Sequence, residues 1–162
     1  MRILVTGKKG QLGRSIKKIV NTYAEVDNSQ NLNDFIFVGR EELDLSDESL
    51  ITQYFDNNKF DIIINCAAYT HVDIAEQEPE LVNQINHLAV KYLATIASNQ
   101  QAILIHISTD YVFDGESDKS YKETDVPNPI NVYGRTKLAG EQALQTAMPM
   151  NALIIRASWL YS

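Results

Sequence analysis

The chain has 162 residues, 44% of them hydrophobic, and a formal charge of -7 with a pI near 4.9. That is enough for one domain with a sizeable core, and the negative balance argues against a nucleic-acid or anionic-membrane surface while leaving room for a small anionic ligand. With one cysteine (Cys66), no signal peptide and no apolar run near twenty residues, the expectation is a soluble cytoplasmic protein without disulfides.

Ile3-Leu4-Val5 predicts the first strand. Directly behind it, TGKKGQLG (residues 6–13) spaces Gly7, Gly10 and Gly13 as GxxGxxG and opens a helical pattern near residues 11–23. Glycine lets the backbone turn tightly and approach a ligand, and a helix start offers N–H groups and partial positive charge to a pyrophosphate. A strand-to-helix loop can also need glycine for its own sake; placement after the first strand favours dinucleotide binding. A loop is expected at residues 27–31. The second strand, Phe35-Ile36-Phe37-Val38, ends in Gly39-Arg40. An acid there would bond the ribose hydroxyls of NAD, whereas an arginine can pair with the extra phosphate of NADP. Arg40 thus leans toward NADPH over NADH, with a solvated surface charge as the alternative. Asp44-Leu45 stands where a loop could cover the adenine, or forms a plain turn.

A helical pattern near 47–57 precedes the third strand, Ile62-Ile63-Ile64, which runs into Asn65-Cys66-Ala67-Ala68-Tyr69-Thr70. Small residues at a strand's carboxyl end let a flat cofactor lie on the backbone; small core packing is the alternative. The pattern near 79–99 opens with Pro79, where a helix tolerates proline best. His71, His87 and His106 have no second ligand at metal-binding spacing; each reads as an ordinary polar or core residue, and no metal is expected.

After the fourth strand, Ala102-Ile103-Leu104-Ile105, comes STDYVFDG (residues 108–115). A hydroxyl such as that of Thr109 could bond a substrate carbonyl while Tyr133 supplies its proton. The polar stretch 115–129 is long enough to be functional rather than merely connecting. In INVYGRTKLAGE (residues 130–141), within a helical pattern near 134–147, Tyr133 and Lys137 stand four apart. On a helix this brings the ammonium close to the phenol, and a cation lowers a phenol's pKa toward the working range. Any helix can carry this pair by chance, so the context decides. The fifth strand is Leu153-Ile154-Ile155.

Strand and helix alternate throughout, and the strands are continuously apolar, as strands buried on both faces of a parallel sheet must be. The reading is α/β: a doubly wound parallel sheet (Rossmann fold) with helices on both faces, in one domain over residues 1–162.

Five blocks, GKKGQLG, CAAYTHVDIAE, STDYVFDG, NVYGRTKLAGE and RASWLY, occur in the order and spacing of a known group. The chain resembles the extended short-chain dehydrogenase/reductases and, within them, the dTDP-4-dehydrorhamnose reductase family. The resemblance implies Tyr133 as general acid, Lys137 as the group that lowers its pKa and holds the nicotinamide ribose, and Thr109 as tuning the substrate carbonyl. It implies Gly10, Gln11, Leu12 and Gly13 at the pyrophosphate, Asp44 and Leu45 at the adenine end, and Ala68, Tyr69 and Thr70 at the middle of the cofactor. Asp110 and Trp159 would contact a nucleotide-sugar. Dehydratases of this group follow the threonine with Asp-Glu, but Asp110 is followed by Tyr111; the Ser-Ser-Ala type sequence of the epimerases is absent too. Reduction of a keto-sugar is left: dTDP-4-dehydro-6-deoxy-L-mannose to dTDP-L-rhamnose with NADPH or NADH. The chain stops at Ser162, just after its fifth strand. The expectation is therefore that the family's carboxyl-terminal substrate-binding part lies outside it and that the last strand leaves apolar surface uncovered. A homodimer is left open. The rival reading is a non-catalytic NADP-binding regulatory subunit like the regulator of methionine adenosyltransferase; intact Thr109, Tyr133 and Lys137 argue against it.

Overall fold

The five apolar runs become five parallel strands of one sheet in the order β2-β1-β3-β4-β5. The structure, a computed structural model, describes residues 1–26 and 34–160; the loop expected at 27–31 and Tyr161 of the last sequence block lie outside them. The strands are β1 (Arg2–Thr6), β2 (Asp34–Phe37), β3 (Ile62–Asn65), β4 (Ile103–Thr109) and β5 (Ala152–Ala157). The helices are α1 (Gln11–Val26), α2 (Glu48–Asp56), α3 (Val72–Ala75), α4 (Pro79–Asn83), α5 (Ala89–Gln100) and α6 (Val132–Ala147).

β1 to β2 steps one way along the sheet and every later connection steps the other way. Right-handed crossovers therefore place α1 on one face and α2, α5 and α6 on the opposite face. The register aligns Leu4 with Ile36 and Ile63, and Ile63 with Leu104, so one face is a continuous apolar floor. Ile51 and Phe55 of α2, Leu93 and Ala97 of α5 and Leu144 of α6 close it. Burying each large side chain fully stabilises by about 1.5–3 kcal/mol. Helix ends are set locally. Asp47 Oδ1 accepts from the N–H of Ser49 at 2.8 Å and of Leu50 at 3.3 Å to start α2, and Asn131 Oδ1 accepts from Gly134 N–H at 2.7 Å to start α6.

One expectation needs correction, and another is met in part. Residues 79–99 are not one regular helix. Pro79 opens α4 as expected, but residues Gln84–Leu88 form a π turn before α5. The wider turn carries Asn86 inward, where it is buried and bonds the backbone of Tyr69 twice: Oδ1 accepts from the N–H at 2.9 Å, and Nδ2 donates to the carbonyl at 3.1 Å. Helices lie on both faces as expected, but among the described residues the cover is partial on one of them. α1 lies over the β1–β2 side, with Lys17 Nζ 5.9 Å from the Phe37 ring, while Ile103, Leu153 and Ile155 on the same face are 46%, 52% and 43% exposed. The apolar surface expected at the last strand is there. No described helix is long and apolar enough to cross a membrane.

Candidate active site

The carboxyl ends of β1, β2 and β3 open onto a cleft of about 630 Å³, within the usual range for ligand sites. Gly7 makes the turn out of β1 with a φ of 71°, a conformation side chains resist, and a Cβ there would lie 2.9 Å from the Cys66 carbonyl and the Ala67 nitrogen. The chain then enters α1, and Gly10 just before it and Gln11 and Leu12 in its first turn line the cleft. A helix start carries N–H groups without intrahelical acceptors and a partial positive charge, which suits a pyrophosphate. Gly13 lies one turn further, packed on the Gly7 backbone rather than lining the cleft.

Arg40, Asp44 and Leu45 form the second wall, and Ala67, Ala68, Tyr69 and Thr70 the third. Arg40 Nε donates to Asp44 Oδ2 at 2.9 Å, and Ser46 donates to Asp44 Oδ1 through its N–H at 2.9 Å and its hydroxyl at 2.6 Å. Partial burial works against the Asp44 charge, but Ser46 and Arg40 outweigh it and the carboxyl lies below its ordinary value. Lys8 pairs with Glu42 and Lys9 with Glu41 along the same rim. Cys66, in the floor, is pushed up to about 11 by burial and stays a thiol.

The reacting side lies where β4 meets α6. Thr109 is buried at the end of β4; its hydroxyl accepts from Tyr111 N–H and lies 3.2 Å from Asp110 Oδ1. Gly134 lets α6 pack onto this segment: a Cβ there would fall 2.1 Å from the Tyr111 carbonyl. The close approach brings the Tyr133 ring edge-on to Tyr111, centroids 5.6 Å apart, in a small cluster with Ala75 and Val82 against which Tyr69, a cleft residue, packs. Burial raises the Tyr133 phenol above its ordinary value; the neighbouring Thr109 hydroxyl pulls it down, and Asp110 and Tyr111 add to the rise.

The expected Tyr133–Lys137 pairing is not what the structure shows. The Lys137 side chain runs inward, 1% exposed, and its Nζ donates to the Ile107 carbonyl at 2.7 Å and lies 3.3 Å from His106 Nε2. Burial lowers it to about 8, against the opposing pull of Glu141. Ile107 lines the cleft, so the lysine head lies just behind the cleft wall. Asp110 stands beside Thr109 as placed by the motif, whereas Trp159 is exposed beyond β5 and outside the cleft lining. Its neighbour Leu160 reaches the cleft instead, its carbonyl accepting from Gln11 Nε2 at 2.8 Å.

His106 was expected to be an ordinary polar or core residue, and it lies in the core. It is fully buried, bonded on both ring nitrogens, and held well below its ordinary pKa by burial and then by Lys137. The signal was one imidazole inside an apolar strand, ILIHIST, since a buried polar side chain needs partners. The polar stretch after residue 114 is tied down: Asp114 accepts from the Tyr121 hydroxyl at 2.7 Å and Asn128 Nδ2 at 2.9 Å, and Phe113 stacks on Tyr121 at 4.3 Å.

A glycine turn between the first strand and helix, a parallel 2-1-3-4-5 sheet and a cleft at its carboxyl edge define a Rossmann-type domain of the short-chain dehydrogenase/reductase superfamily. Residues 1–162 match the family described as the RmlD substrate binding domain, and the chain belongs to it. It is 41% identical over 160 residues to the dTDP-4-dehydrorhamnose reductase of Aggregatibacter actinomycetemcomitans, covering 99% of this chain and 52% of that protein. Among solved structures it resembles a dTDP-4-dehydrorhamnose reductase from Clostridium acetobutylicum (TM-score 0.89, 38% identity, 99% of this chain and 54% of that one). It also resembles that from Bacillus anthracis in complex with NADP (TM-score 0.87, 36% identity, 99% and 54%). The chain spans about half the length of the curated relatives it matches.

Proposed function

We propose that this chain is the cofactor-binding and proton-donating part of a reductase that converts the 4-keto group of dTDP-4-dehydro-6-deoxy-L-mannose to the alcohol of dTDP-L-rhamnose, using NADPH or NADH. The observation that carries the reading is one sheet edge joining the glycine-turned cleft to Thr109 and Tyr133. The relatives' names and the NADP-bound B. anthracis structure support it.

The donor set fits a nicotinamide dinucleotide. Gly7, Gly10, Gln11 and Leu12 would hold the pyrophosphate and Asp44 and Leu45 the adenine side, with Ala67, Ala68, Tyr69 and Thr70 along the middle. Arg40 engages Asp44 through Nε, and its Nη donors could meet a 2′-phosphate beside that bond, so both cofactors remain usable. When bound, the nicotinamide supplies a hydride to the keto carbon. Tyr133 donates its phenolic proton to the keto oxygen, and its raised pKa keeps that proton in place at neutral pH. The Thr109 hydroxyl, fixed by the turn at Tyr111, orients the same oxygen. Lys137 would hold the nicotinamide ribose from behind the wall at Ile107. Asp110 and Trp159 would face the nucleotide-sugar.

The test is kinetic. A fusion carrying the remaining length of the Aggregatibacter relative, assayed with NADPH and the keto-sugar, should turn over, and the 162-residue chain alone should be far less efficient because specific sites bury most of their ligand. Equal efficiency in the two would contradict the assignment of this chain's share. No turnover in a folded, NADPH-binding fusion would favour a non-catalytic regulatory role.

A further inference from the structure

The segment that leaves the third wall of the cleft turns back on the tyrosine of α6. Thr70 and His71 line the cleft, α3 begins at the next residue, and Ala75 at its end is fully buried in the cluster that holds Tyr133. The next three residues, Glu76-Gln77-Glu78, carry two exposed carboxylates that reach to different elements. Glu76 Oε1 accepts from the backbone N–H of Val132 at 2.6 Å, across 56 residues of chain. Its other oxygen lies 4.0 Å from Arg135 Nη2, and Arg135 Nη1 donates to the Ile130 carbonyl at 3.2 Å. Glu78 Oε2 accepts from the Tyr69 hydroxyl at 2.6 Å. Val132 is the first residue of α6 and Tyr133 the second. Tyr69 lines the cleft and packs on the same cluster as Val132.

Starting α6 does not require Glu76. Asn131 already caps the helix, its side chain taking the Gly134 N–H and its carbonyl the Arg135 N–H at 3.0 Å, and an N–H at the surface can bond water. A carboxylate also suits the partial positive charge of a helix start. What Glu76 adds is a fixed link to a distant segment. The packing of Ala75 and Val82 on Tyr133 is apolar and non-directional, whereas a hydrogen bond has a preferred length and angle. We propose that Glu76-Gln77-Glu78 is a brace that sets the spacing between the cofactor wall and the proton donor, with Glu76 the positioning residue for Tyr133 and Glu78 the positioning residue for Tyr69. Neither carboxylate lines the cleft. The inference rests on the cofactor and proton-donor roles proposed above. Spacing matters there because a misplacement of about 1 Å can cost about 10²-fold in rate.

NMR on the ¹⁵N,¹³C-labelled chain reads the brace without cofactor or sugar. In Glu76→Ala the Val132 amide should exchange with solvent about tenfold faster, and the Tyr133 ring signals, which sense the edge-on ring of Tyr111, should shift. Glu76→Gln keeps an oxygen that can accept from Val132 and should hold both near the parent values. Tyr133 ring signals unmoved in folded Glu76→Ala overturn the proposal. Function then separates the two carboxylates. In the fusion, Glu76→Ala should lower kcat about tenfold with the KM for NADPH within about twofold, and Glu76→Gln should recover most of the loss. Glu78→Ala should instead weaken NADPH binding to the chain by about threefold or more. An unchanged kcat in Glu76→Ala, a Gln variant no better than the Ala variant, or an unchanged NADPH affinity in Glu78→Ala overturns the brace. Failure of the proton-donor reading shows differently, as full turnover in Tyr133→Phe.

Discussion

Charges at the cleft rim and charges behind its wall are handled in opposite ways. On the rim, Lys8–Glu42, Lys9–Glu41 and Arg40–Asp44 pair at or near the surface. Behind the wall, Lys137, His106 and Glu141 are buried to within 1%. Exposed pairs contribute little to stability, so each cation can exchange its partner for a ligand phosphate at small cost. Buried groups cannot trade partners in that way, because an unpaired charge in the interior is expensive. On the reading proposed above, rim cations are the ones able to turn to a ligand, while the interior groups stay in place.

The largest expected effect is chemical. Tyr133→Phe in the fusion should lower turnover by about two to four orders of magnitude, the usual scale of general acid catalysis, with cofactor affinity nearly unchanged; near wild-type turnover would remove Tyr133 from the proton-donor role. Next comes the interior pair. Arg156→Met leaves the Glu141 carboxylate buried and unpaired and should cost about 3–5 kcal/mol in urea unfolding, part of it from the lost contact of the guanidinium over Phe113. Adding Glu141→Leu should return much of that stability, and failure to do so would mean the charge is not what hurts.

On the rim the effects shrink. Arg40→Ala should weaken NADPH relative to NADH by roughly tenfold, the low end for a charge-assisted bond because the side chain is 72% exposed and already shared with Asp44. Equal losses for both cofactors would return Arg40 to a surface charge. Lys9→Ala should leave the melting temperature unchanged; a clear fall would show that the rim pairs are structural and blur the contrast with the interior.

The same contrast decides what could be read from the sequence. Glycine turns, strand ends and a proline-capped helix are local, so TGKKGQLG, CAAYT and Pro79 announced the cleft and much of the element order. The Tyr133–Lys137 spacing was local too, but where the lysine points depends on His106 and Ile107, some thirty residues away in the chain and on another element. The π turn at Gln84–Leu88 is equally hidden, because its cause is the fit of Asn86 against Tyr69 and Gly140 rather than any helix-breaking residue. Continuous apolar strands led to the expectation of helices on both faces. Helices do lie on both, although among the described residues α1 covers only the β1–β2 side of its face.

The most direct test of the account is an NMR titration of this chain with NADPH. The account predicts amide shift changes concentrated at residues 6–12, 39–45 and 67–70, with smaller changes at Thr109, Tyr133 and Lys137. Saturable binding that moves a different surface, or no binding at millimolar NADPH, the upper end of typical KM values of about 1 μM–1 mM, would contradict it.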